Sequence, residues 1–192
     1  MTMQSVPCFG CGGTFPDREG PTHRYMESSP GCWTAYGEVL GREYSDREYG
    51  ILNRLTVDAY AVQHPGRRKP QAVQSVALHL ISLCLILERG KSVDDATRAI
   101  HLGAARKNYF AWLKPPGSMG PVTVADIQRA QTAHHHLVLV RNWAKSAWLA
   151  WAPHHALVHA WADELTGRRG PALQWMQERS KQKQRPKSRD HV

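Results

Sequence analysis

No run of this chain comes near the roughly 18 consecutive apolar residues that a membrane-spanning helix requires. The first residues, MTMQSVPCFGC, lack the basic stretch and apolar run of a secretory leader. No P-loop, no dinucleotide-type glycine pattern and no Ser-His-Asp order occurs, so the common nucleotide and hydrolase readings have no support. No segment keeps the two-residue alternation of a strand for long, and no internal repeat is present. Cysteine is scarce, with four in 192 residues. These absences predict a cytoplasmic protein with reduced thiols and no membrane partner. In such a protein a close cysteine pair signals metal or redox chemistry.

What the chain does have is basic charge, +9 in all, but the charge is unevenly placed. From Gly167 onward eight Lys and Arg face two acidic residues, so six of the nine charges sit in that segment. Its end, RSKQKQRPKSRDHV, has almost no apolar residue and reads as a disordered, solubilising tail that can also touch RNA, DNA or an acidic partner. The chain as a whole is 42% hydrophobic with seven tryptophans, enough for one buried core. Three parts are predicted: a Cys/Gly/Pro-rich, loop-built knuckle over residues 1–30, a helical bundle over 31–166, and the basic tail over 167–192.

The bundle is read from periodicity and caps. Ser29 as N-cap and Pro30 at the first helical position open a helix that runs to about Tyr49, with Trp33, Tyr36, Val39, Leu40 and Tyr44 on one face. ILNRLTVDAYAVQ follows, stopped by HPGRRKP. The most apolar helix, from about Gln71 to Glu88, is central and ends at Gly90. Ser92 caps a shorter helix, WLKPPGSMGPVT is a Pro/Gly-rich connection, and Thr123 caps a helix leading into the Trp-rich stretch. There Val140, Trp143, Ala147, Trp148 and Trp151 form a face to be buried against Leu78, Leu80, Ile81 and Leu85. Pro153 kinks or divides that last helix. The fold class is all-α, a bundle of four to five main helices in up-and-down order.

Candidate chemistry begins at CFGCGG. Cys8 and Cys11 form a C-x-x-C whose flanking Gly10, Gly12 and Gly13 let both sulfurs turn toward one ion. Zinc takes four tetrahedral ligands, so two come from elsewhere. Cys32, in the first turn of its helix, is the third candidate because the positive helix end favours a thiolate. His64, just past a helix end, is the fourth, completing a Cys3His set. The alternatives are free thiols on a flexible N-terminus, or a redox pair. CFGCGGTFP cannot open a helix, which such redox motifs do. Cys84 reads as a small buried hydrophobe.

The histidines and one polar helix raise a second possibility. His155 and His159 are four apart and share a helix face, and with His79 and either Asp58 or Glu88 they can build a metal site inside the bundle. Alone, His79 reads as a core histidine. The run His134, His135, His136 reads as a solvated helix turn. Asp58, Tyr60, Gln63 and His64 lie within two turns, either as a polar ligand pocket or as support for the knuckle.

The strings CFGCGG, YMESSPGCW, EYSD, RLTVDAYAVQHPG, SVALHLISL and NWAKSAWLAWAPHH, spanning roughly residues 8 to 160, resemble an uncharacterised bacterial family of domain-of-unknown-function proteins. The resemblance implies a small cytoplasmic bacterial protein and brings no established activity. It marks Cys8, Cys11, Cys32, His64, His79 and His155 as positions of interest. A more distant similarity is to the DinB-like four-helix bundles, in which three histidines from different helices bind a divalent metal. His79 and His155 would take two of those parts, but no third helical histidine stands at matching spacing.

Three functions follow, in this order. The first is a helical binding or regulatory module whose zinc is structural, with a protein or small-molecule partner. The second is a metalloenzyme using an open site among Asp58, His64, His79 and His155. The third is a nucleic-acid-binding factor acting through the basic tail.

Overall fold

The computed structural model describes residues 4–106 and 108–167. The tail expected beyond Gly167 therefore lies outside the described residues. Two short antiparallel strands, β1 (Ser5–Pro7) and β2 (Thr14–Pro16), pair with Val6 opposite Phe15. The sequence predicted only loop here, because three-residue strands are too short to show alternation. The hairpin's turn is closed by Cys8 N–H on the Gly13 carbonyl (2.7 Å) and Gly12 N–H on the Cys8 carbonyl (2.8 Å), with Gly12 at φ +75°. Phe15 is buried and belongs to the same core as the helices.

Helix α1 (Pro30–Ser45) starts as expected, with Ser29 Oγ accepting from Cys32 N–H at 3.3 Å. It ends earlier than the expected Tyr49, because Asp46 turns into extended backbone and its carboxylate accepts from Glu48 N–H (2.9 Å). A 3-10 turn, Tyr49–Leu52, then feeds straight into α2 (Asn53–Gln63). The buried stripe of α1 is Cys32, Ala35, Tyr36, Val39 and Glu43. Tyr44, expected on that face, lies about 100° round from Glu43 and is 74% exposed.

Helix α3 (Pro70–Leu83) continues through a π-helical turn, Cys84–Glu88, marked by Arg89 N–H on the Cys84 carbonyl at 3.2 Å, and ends at Gly90 with φ +58°. Among the described residues it alone is long and apolar enough to cross a membrane, yet 56% of it is buried inside the protein. It packs against α2, α4 (Val93–Ala104) and α7 (His155–Leu165).

The helix expected to run on from Thr123 is broken. A short α5 (Val124–Gln128) has a Thr123/Asp126 capping box, and α6 (Ala133–Ala150) restarts on Thr132, whose Oγ1 accepts from His135 N–H at 3.2 Å. Arg42 stabilises the break by donating to the Ala130 (2.9 Å) and Gln128 (3.2 Å) carbonyls. Pro153 does divide the Trp-rich stretch: a 3-10 turn, Ala152–His154, separates α6 from α7. Trp143, Trp148 and Trp151 are buried, but α6 lies chiefly on α2 rather than on α3. The indole N–H groups show why: Trp143 donates to Gln63 Oε1 (2.8 Å) and Trp151 to the Val62 carbonyl (3.1 Å). Only Trp148 reaches the end of α3, donating to Glu88 Oε1 at 2.8 Å.

Candidate metal centre

Cys8 and Cys11 come from the hairpin turn, Cys32 from the first turn of α1, and His64 from the C-cap of α2. Their four ligand atoms all lie within 4.8 Å of one another, and all four residues are buried. His64 Nε2 is 3.4 Å from Cys32 Sγ and 3.6 Å from Cys8 Sγ, and the Cys11 and Cys32 sulfurs are 3.9 Å apart. A tetrahedral ion with bonds of about 2.3 Å to sulfur and 2.0–2.1 Å to nitrogen sets ligand separations of ~3.8 Å (S···S) and ~3.6 Å (S···N). The observed edges match that size. A disulfide needs sulfurs about 2.05 Å apart, and all four cysteines are free. The group can hold a metal ion.

The surroundings fix the ligands in place. His64 Nδ1–H donates to the Tyr60 carbonyl at 2.7 Å, which leaves the Nε2 lone pair aimed at the sulfurs. Its ring stacks on Tyr60 (4.0 Å), which stacks in turn on Tyr36 (3.8 Å). Ser29 N–H, at the start of α1, donates to Cys8 Sγ at 3.3 Å, and Tyr60 Oη lies 3.7 Å from Cys32 Sγ. Gly10 is required by close approach: a Cβ there would sit 2.2 Å from the Glu27 carbonyl oxygen and 2.4 Å from the His64 ring. Over the knuckle lies a recess of about 490 Å³ between Phe9–Gly12 and the Pro115–Met119 loop, with Phe9 70% exposed at its edge.

Hydrogen bonds from Cys11 and Cys32, aided by His64, hold the Cys8 thiol far below its ordinary range against the opposing effect of burial. Cys32 draws Cys11 down as well, but Cys8 and burial outweigh it and push Cys11 up to about 12. Cys11, Cys8 and burial raise Cys32 further still. The three thiols thus oppose one another's ionisation, and a divalent cation among the sulfurs would favour the thiolate at each.

The polar residues of α2 do not share one pocket. Asp58 is fully buried and bound by the Arg54 guanidinium, by His79 Nδ1 (2.7 Å) and by Ser82 Oγ (2.5 Å). Gln63 points elsewhere, donating to the Met119 and Val122 carbonyls (both 2.8 Å), while Tyr60 and His64 serve the knuckle. Of the possible site at His79, His155 and Asp58, the structure brings His79 to Asp58 but leaves His155 apart. His155 stacks flat on Trp148 (3.7 Å) and bonds the Trp148 carbonyl through Nε2 (3.0 Å). The break at Pro153 aims α7 at Glu88, nine residues beyond His79 and so ~13 Å along α3. His79→Ala is expected to lower stability by ~1–3 kcal/mol, because Asp58 loses a buried partner, while metal content stays constant. Thermal melts paired with metal analysis check this, and loss of metal would tie His79 to the ion instead.

Sequence reasoning missed a second buried pair. Glu43 accepts from His136 Nε2 (2.8 Å), Thr56 Oγ1 (2.5 Å) and Asn53 Nδ2 (2.7 Å), with both side chains of the Glu–His pair fully buried. His136 was expected in solvent with its neighbours. Its spacing told otherwise: it lies four residues before Val140 and seven before Trp143, on their stripe.

The structure thus defines a class, a mostly helical protein with a buried three-thiol, one-imidazole group that can hold a metal ion. The chain belongs to the family described as "Family of unknown function (DUF5946)", whose family model matches residues 6–152. That span takes in all of the hairpin but Ser5, the four candidate ligands and the Trp-rich helix α6. No curated protein and no solved structure matches the chain.

Proposed function

We propose that Cys8, Cys11, Cys32 and His64 hold one zinc ion, that this zinc is structural, and that the protein is a cytoplasmic binding or regulatory module. The observation that carries the reading is a set of four buried candidate ligands within 4.8 Å of one another, with the 3.4, 3.6 and 3.9 Å separations a tetrahedral ion would span. Thiolate and imidazole donors suit zinc over the hard cations calcium and magnesium. A catalytic zinc keeps one position open for water or substrate, and four protein ligands leave none. The enzyme alternative has little to build on, since His64 sits with the cysteines, Asp58 is ion-paired and His155 lies elsewhere. The ion would join three segments that the chain brings from far apart, as Cys8 and His64 are separated by 56 positions. The recess beside the knuckle, edged by exposed Phe9, is where a protein or small-molecule partner would meet the zinc-ordered turn.

Protein purified without affinity for metal resins and dialysed against a mild chelator is expected to retain one equivalent of zinc by mass spectrometry of the elements. Wild-type protein that carries no metal as purified, and whose melting temperature added zinc does not raise, would refute the reading.

A further inference from the structure

A second cluster of metal-ligating side chains stands at the other end of α3, apart from the cysteine knuckle. Cys84 Sγ, a Glu88 carboxylate oxygen and a ring nitrogen of His159 all lie within 4.8 Å of one another. Cys84 and Glu88 sit four apart on the π-helical turn, so both project toward α7, where His155 and His159 are also four apart on one face. We propose that Cys84, Glu88 and His159 form a second, solvent-facing site for a divalent transition metal of the zinc class, with His155 as an adjacent donor.

Three features of the geometry support this. His159 Nε2 is 2.6 Å from Glu88 Oε2, so one proton now holds the place an ion would share between them. His155 Nε2–H is committed to the Trp148 carbonyl (3.0 Å), which turns its Nδ1 toward Glu88 Oε1 across 4.0 Å. A ring nitrogen and a carboxylate oxygen 4.0 Å apart leave room for a cation between them. Trp148 locks both groups, stacking on His155 at 3.7 Å and donating to Glu88 Oε1 at 2.8 Å, which is how ligands are oriented from behind. Arg89, the neighbouring cation, pairs with Asp163 (2.9 Å), donates to the His159 carbonyl (3.2 Å) and also hydrogen-bonds the Cys84 thiol, so an ion bound at the sulfur would displace the guanidinium from it.

The two sites differ in kind. The knuckle has four buried ligands, whereas here Cys84 is buried but Glu88 and His159 have side chains 37% and 40% exposed, so solvent can occupy a remaining position. One thiolate with imidazole and carboxylate selects a borderline transition metal over calcium or magnesium. Three protein ligands with access for water is the pattern of exchangeable or catalytic zinc rather than of structural zinc.

The test is a cobalt(II) titration of the full-length, metal-stripped protein, followed by its thiolate-to-metal absorption. Wild type is expected to take two equivalents, the weaker one adding about a third of the thiolate absorption of the tighter, one sulfur against three. Cys84→Ser should abolish that second increment. His159→Ala, a safe change at a part-exposed position, should weaken the second equivalent at least ~10-fold, the scale reached even by changes behind the ligands. Both variants should keep the first equivalent. Cys8→Ser should lose the first and keep the second, so failure at one site is told from failure at the other. Saturation of wild type at a single equivalent that Cys8→Ser removes would overturn the proposal, as would unchanged two-site binding in His159→Ala.

Discussion

Cys32→Ser is expected to release the metal and lower the melting temperature by roughly 8–16 °C. Serine keeps the volume and the Ser29 cap on α1 but removes one of the three sulfurs, leaving an oxygen that zinc binds poorly beside two thiolates. Structural zinc contributes on the order of 10 kcal/mol of apparent binding free energy in small fingers. A loss of only ~4 kcal/mol gives that shift in a domain of this size. The damage should start locally. Cys32 is at once a proposed ligand, a neighbour of Tyr60 Oη and part of the buried stripe of α1, so the hairpin and the Tyr36–Tyr60–His64 stack should loosen first. Hydrogen exchange should show early loss of protection over residues 5–16 and in the first turns of α1. A Cys32→Ser protein that keeps both its zinc and its melting temperature would exclude Cys32 as a ligand.

Trp143→Ala should cost roughly 3–5 kcal/mol, the range for emptying a large aromatic site, and therefore a major share of the 5–15 kcal/mol that holds a typical domain together. Trp143 is completely buried, and its N–H is the partner of Gln63 Oε1. Truncation thus leaves a cavity and an unpaired buried amide oxygen together. Trp143→Phe separates the two effects: it fills most of the cavity and removes only the donor, for an expected ~1–3 kcal/mol. Urea denaturation of both variants measures the difference. Equal losses would mean that the hydrogen bond, not the packing, dominates the site.

The helical class was legible because amphipathic periodicity and caps are local signals. Ser29, Ser92, Gly90 and Pro153 mark ends that the fold keeps. Ends set by an unremarkable residue were harder: Asp46 stops α1 through its own side-chain turn, and Thr132 restarts a helix that periodicity alone carries through. The knuckle residues were nameable from spacing and from the coordination demands of zinc, because few cysteines were available and each had to be placed. Contacts between helices were less accessible. Whether His155 meets Asp58 or Glu88 depends on the turn taken at Pro153, and no local pattern states that direction. Glu43 and His136 could have been found, since both fall on buried stripes, but a charge among apolar neighbours reads first as an exposed edge.

Gln63 gives the Pro115–Val122 connection an unusual character. Its amide, fixed in the core by Trp143, holds the Met119 and Val122 carbonyls. Lifting this loop would strand buried polar groups on both sides, so its opening is coupled to disruption of the core rather than being a free surface fluctuation. The same loop forms one wall of the recess beside the knuckle. The cysteine-bearing turn and the glutamine anchor hold opposite sides of that recess from within. A partner docking there would meet a surface already in its final shape and would lose little ordering entropy on this side of the interface.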